Sequence, residues 1–129
     1  MPWTASYMSD MDAILTVYSG VITPAELQQA AARTAQLAGE RKTLRLLGDC
    51  IALEGGHSIV DLYGLSRMLE SLALDGMREA LVMPRLSAAA QDVHFWETTC
   101  RNRGIDVRVF RTLEEARAWL GPAAPPAEA

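Results

Sequence analysis

Residues 105–121 read Ile105-Asp106-Val107-Arg108-Val109-Phe110-Arg111-Thr112-Leu113-Glu114-Glu115-Ala116-Arg117-Ala118-Trp119-Leu120-Gly121. Ile105, Val107 and Val109 alternate with Asp106 and Arg108, the pattern of a strand with one buried face. Thr112 and Glu115 then stand at the spacing of a capping box, so a helix is expected to follow at once. Ala116, Trp119 and Leu120 fall on its inward face, and Gly121-Pro122 ends it. A strand that hands over directly to a capped helix is the repeating unit of an α/β fold.

The same unit recurs upstream. Glu79-Ala80-Leu81-Val82-Met83 reads as a short strand ended by Pro84, followed by a helix from Ser87 to Arg103 with Ala89, Val93, Trp96 and Cys100 facing inward and Gly104 as its stop. Thr43 to Cys50 is an apolar-rich run that predicts a buried central strand. Beyond it, Ile59, Leu62, Leu65, Leu69 and Leu72 keep helical spacing, with Gly64 expected to break that helix and Ser66 to cap its second half. Ala13 to Tyr18 predicts a strand after a turn at Asp10-Met11-Asp12, with Trp3 to Met8 as its antiparallel partner. Thr23-Pro24-Ala25-Glu26 combines a capping hydroxyl, a proline at the first helical position and a returning carboxylate. The helix it starts turns Leu27, Ala31, Thr34 and Ala38 inward, and Gly39 is expected to supply its left-handed terminus.

The expected fold is therefore α/β: a mostly parallel mixed β-sheet with about four helices over residues 1–121, followed by a disordered Pro/Ala-rich tail at 122–129. The strands near 44–49, 80–83 and 106–110 should run parallel, because a helical crossover separates each from the next. A chain of 129 residues that is 50% hydrophobic is sufficient for one packed core. Its net charge of -4 argues against nucleic acid and anionic membranes as partners. No run has the length and apolarity of a membrane span or a secretory leader, and the two cysteines, Cys50 and Cys100, have no zinc-like spacing. A cytoplasmic protein without metal or other cofactor is expected.

One stretch concentrates reactive residue types: Gly48-Asp49-Cys50-Ile51-Ala52-Leu53-Glu54-Gly55-Gly56-His57-Ser58-Ile59-Val60-Asp61. Ser58, with Asp61 three residues on, is placed to cap a helix, and a phosphate there would be favoured by the helix dipole. Gly55, Gly56 and His57 form a loop that ordinary turn chemistry explains, and that in a second reading meets an anion or a partner. Cys50 with His57 as base is the enzymatic alternative, needing a thiolate within reach of the imidazole. Arg101, Arg103, Arg108, Arg111 and Arg117 are interleaved with Asp106, Glu114 and Glu115, which reads as a salt-bridged surface rather than a basic patch. His94 beside Phe95 and Trp96 reads as helix packing rather than a metal site.

The strand ending in Gly20 and leading into Ile22-Thr23-Pro24-Ala25-Glu26-Leu27, then Arg78-Glu79-Ala80-Leu81-Val82-Met83-Pro84, then Asn102 to Leu120, together resemble the small bacterial STAS/SpoIIAA-like proteins. The resemblance spans roughly residues 5–121 and implies a non-enzymatic regulatory or protein-interaction module, similar to anti-sigma-factor antagonists that are switched by serine phosphorylation. In the switching members an Asp-Ser-Ser-Gly-like stretch precedes the second helix. Here the junction is Glu54-Gly55-Gly56-His57-Ser58, and Ser58 matches by position and residue type alone. A regulatory protein partner is expected, and a homodimer through an exposed sheet edge. The alternative is a small-molecule or lipid-binding domain of related fold. It requires an apolar pocket of several hundred Å³, for which a chain this short is expected to have little room once its core is filled.

Overall fold

A computed structural model describes residues 2–56, 59–71 and 76–122. His57, Ser58, Leu72 and the run 123–129 lie outside the described residues. The elements follow in the order β1 (Trp3–Met8), β2 (Ala13–Val21), α1 (Pro24–Arg41), β3 (Arg45–Gly55), α2 (Ile59–Ser71), β4 (Arg78–Val82), α3 (Ser87–Asn102), β5 (Asp106–Phe110) and α4 (Leu113–Leu120). They build one five-stranded sheet in the order β1-β2-β3-β4-β5. β1 is antiparallel to β2, while β2, β3, β4 and β5 run parallel. The α/β class and the parallel central strands are as the sequence predicts.

Each crossover moves one strand along the sheet, so a single handedness puts α1, α2 and α3 on the same face. α4 is not a crossover and folds back onto the other. The cores separate accordingly. Leu47, Ala80 and Val82 pack with Ala116 and Leu120 of α4. On the opposite face, Cys50, Leu81 and Val107 meet Leu27 of α1, Leu62 and Leu65 of α2, and Ala89, Val93 and Cys100 of α3.

Three helices about 10 Å wide cannot all lie flat over strands about 4.8 Å apart. α1 takes β1 and β2, α3 takes β3 and β5, and α2 leans chiefly on α3. The gap this leaves beside α1 is where the site forms.

Local departures from expectation have local causes. α1 starts with the predicted reciprocal capping box: Glu26 N–H donates to Thr23 Oγ1 at 3.2 Å, and Thr23 N–H donates to Glu26 Oε1 at 3.0 Å. It runs past Gly39, however, and the left-handed residue is Lys42 at φ 53°, whose N–H reaches the carbonyl of Ala38. Gly39 is an interior residue of the helix, not its terminus. α2 is likewise continuous through Gly64. The Ser66 hydroxyl donates to the Tyr63 carbonyl at 2.7 Å, a back-bond within the helix that replaces the expected cap. β3 extends to Gly55, beyond the expected end at Cys50, because β2 offers it a partner as far as Val21. At α4, Thr112 Oγ1 accepts from Glu115 N–H at 3.1 Å, but the Glu115 carboxylate turns to Arg111 N–H at 3.4 Å, so half of the box forms.

Candidate ligand cavity

A cavity of about 600 Å³ lies between α1 and the sheet and is closed in part by α2 and α3. Its floor is the face carrying Thr16 of β2, Gly48 and Cys50 of β3, and Leu81 of β4. The α1 side presents Ala31, Thr34, Ala35, Ala38 and Gly39, and the α2 side Leu62 and Leu65. The void is a consequence of side-chain size. Helical periodicity turns these α1 positions inward, but alanine and glycine do not reach the sheet, and glycine at the centre of β3 sends nothing up to meet them. A Cβ on Gly48 would stand 2.4 Å from Leu81 Cδ2, so Leu81 lies across the glycine instead of standing into the gap. The expectation of little room for a large cavity is thus overturned.

The wall is apolar with few polar groups. Thr16 and Thr34 satisfy each other, Oγ1 to Oγ1 at 2.7 Å, linking β2 to α1. Glu79 is the exception to apolar patterning. It sits in the row Ile14, Leu46, Glu79, Val107 across four strands, on the cavity face. Trp96 Nε1 of α3 donates to its Oε1 at 2.8 Å. Burial pushes the Glu79 carboxyl up from its ordinary value of 4.5, and the Trp96 hydrogen bond offsets part of that rise. Burial also holds the Tyr18 phenol and the Cys50 thiol in their protonated forms, with each acid reinforcing its neighbours: Cys50 and Glu79 act on Tyr18, and Glu79 and Asp49 on Cys50.

Comparison with models of known protein families, with curated proteins and with solved structures returned no match. The cavity therefore has to be read from its own chemistry.

The stretch singled out in the sequence divides at its loop. Gly55 and Gly56 have φ of 129° and 108°, and a Cβ on Gly56 would stand 2.4 Å from the Ile22 carbonyl oxygen and 2.7 Å from Val21 Cγ1. Ile22 N–H donates to Gly55 O at 2.8 Å. Close approach to the β2–α1 connection accounts for Gly56, and the positive φ alone for Gly55. Cys50 is buried on the cavity floor, and its raised pKa disfavours the nucleophilic thiolate at neutral pH. His57, the expected base for Cys50, and Ser58 lie outside the described residues. Three of the five arginines of the C-terminal third are engaged with acids or aromatic rings: Arg108 pairs with Asp106 at 3.5 Å and Arg117 with Asp10 at 2.8 Å, while Arg103 lies over Tyr63. Among the described residues no group of histidine, cysteine and acidic side chains could hold a metal ion, and no helix is long and apolar enough to cross a membrane.

Sequence reasoning missed Glu79 and Gly48. The signals were present: a carboxylate on the same face as Leu81 in an otherwise apolar strand, and a glycine in the middle of another.

Proposed function

We propose that this protein binds a predominantly apolar small molecule in the cavity between α1 and the sheet. The observation that carries this reading is a space of about 600 Å³ whose walls are predominantly apolar, with a few polar groups among them. Specific small-molecule sites occupy about 300–1,000 Å³ with that balance of lining. Packed interiors seldom leave voids much larger than a water molecule, so a space of this size has a use as a container.

The test is binding of the uncharged fluorophore N-phenylnaphthylamine to the full chain, with Ala35→Phe as the blocked variant. Ala35 lines the cavity from α1. Phenylalanine there should fill the space, abolish the fluorescence gain and leave the melting temperature unchanged or higher. Equal fluorescence gain in both proteins would count against the reading.

A second reading, the regulatory protein-binding module of STAS/SpoIIAA-like kind, is favoured by the position of the Gly55-Gly56 loop at the carboxyl end of β3, the edge of a parallel sheet where binding sites gather. Under it, Ser58→Asp should alter capture of a partner protein while the fold persists. The two readings are compatible, since the loop also abuts Ile22, a residue of the cavity wall.

A further inference from the structure

A carboxyl in the middle of a sheet face is something the fold does not need. The neighbours of Glu79 in its row are Ile14, Leu46 and Val107, all buried and apolar. Its Oε1 takes the Trp96 indole N–H. Among the described residues no lysine or arginine forms an ion pair with it, and no donor reaches Oε2. A carboxylate half-buried against an apolar cavity, with no counter-charge, is unfavourable, and the remedy is a proton. With Oε1 accepting from Trp96, that proton sits on Oε2 and makes it a donor.

Tyr18, also on the cavity wall, adds a phenolic donor whose hydroxyl has no hydrogen-bond partner among the described residues. The titratable groups around Glu79 are Tyr18 from β2, Cys50 from β3 and Cys100 from α3, all weak acids that burial keeps neutral. The other charged residues of the wall are Lys42, at the C-terminal end of α1, and Asp92 of α3. Thr16 and Thr34 are occupied with each other. Around Glu79 the cavity therefore holds donors in surplus.

We infer that the ligand is an uncharged, mostly apolar molecule bearing a carbonyl oxygen, and that Glu79, assisted by Tyr18, donates to that oxygen. The inference rests on the cavity being a ligand site and adds the chemistry of the ligand's polar end. A carboxylate head would bring a second acid to Glu79 and would sit better toward Lys42. An ammonium head would require Glu79 to ionise among three weak acids.

The experiment displaces N-phenylnaphthylamine with decyl methyl ketone, dodecane, dodecylamine and dodecanoate at neutral pH, from the wild-type chain and from Glu79→Leu, Glu79→Gln and Tyr18→Phe. In Glu79→Leu the ketone should weaken about three- to tenfold, the worth of one hydrogen bond, and dodecane should not. Glu79→Gln should keep the ketone, because its amide N–H donates from the same place. Tyr18→Phe should weaken the ketone alone, which tests the assignment even where the Leu variant fails to fold. Equal changes for ketone and dodecane would overturn it. So would a larger loss for dodecylamine than for the ketone, or dodecanoate binding more tightly than the ketone without regard to Glu79. If N-phenylnaphthylamine does not bind the wild-type chain, the cavity reading itself falls, and this inference with it. Binding that ignores Glu79 and Tyr18 removes only the inference.

Discussion

The two faces of the sheet are built from alternating residues of the same strands, yet one is filled and the other is not. On the α4 face a helix of eight residues suffices, because Leu47, Val82 and Leu120 are large enough to meet, and Phe110 and Trp119 close the edge with ring centroids 5.6 Å apart. On the α1 face a helix of 18 residues offers alanines, a threonine and a glycine opposite Thr16 and Gly48. Length of secondary structure does not set packing. Side-chain volume at facing positions does, and by that measure the longer helix leaves the space the shorter one closes.

The sharpest way to break this contrast is to remove equal volume from each face. Leu120→Ala on the filled face should cost about 2–5 kcal/mol, because rigid neighbours leave a new cavity. Leu62→Ala, which enlarges a space already present, should fall at or below the lower end of that range. Urea unfolding of both variants measures the difference, and equal losses would mean that the open face is as tightly supported as the closed one.

A smaller effect concerns the threonine pair spanning the open face. Thr16→Val leaves the Thr34 hydroxyl without its partner at 2.7 Å and should cost about 1–3 kcal/mol, whereas Thr16→Val combined with Thr34→Val should be nearly neutral. A single variant as stable as the double would show that water in the cavity replaces the lost hydroxyl.

The smallest shift at acid pH, and the one with a definite sign, belongs to Glu79→Gln. The folded carboxyl holds its proton above the unfolded value of 4.5, so the folded state binds more protons and stability falls as pH rises from there through the raised folded pKa. Below 4.5 both states are protonated and that contribution is fully present. Glutamine cannot ionise, so the variant should gain on the wild type as pH rises, read as a widening difference in melting temperature. Tyr18, Cys50 and Cys100 remain neutral across this window, and their raised values keep them out of the comparison. A constant difference at all pH values would place Glu79 in contact with water.

The fold was legible because its signals are local. Alternation at Ile105, Val107 and Val109 sets a strand, and Thr23 and Thr112 set helix starts within a few bonds of their own hydroxyls. The limits of α1 and α2 were less so. Gly39 and Gly64 read as stops, and tertiary packing carried both helices through them. The cavity was not legible from periodicity, which tells which way Ala31, Thr34, Ala35 and Ala38 face but not whether the opposite residue fills the distance. That required knowing that α1 faces Gly48 across the same space. Glu79 follows the same logic: a charge in a short strand becomes anomalous only once its register beside Leu46 and Val107 is known.

Arg45 leaves β3 on the side away from the cavity and gives Nη2 to the Gly121 carbonyl at 2.6 Å and Nε to the Met11 carbonyl at 3.1 Å. With Arg117 bonded to Asp10 at 2.8 Å, the end of α4 is clasped to the β1–β2 turn. Gly121 therefore lies beneath the sheet, opposite α1. A fluorophore, affinity handle or sensor surface attached there would leave the cavity face open to solution, so the chain can be immobilised by that end and titrated with ligands in place.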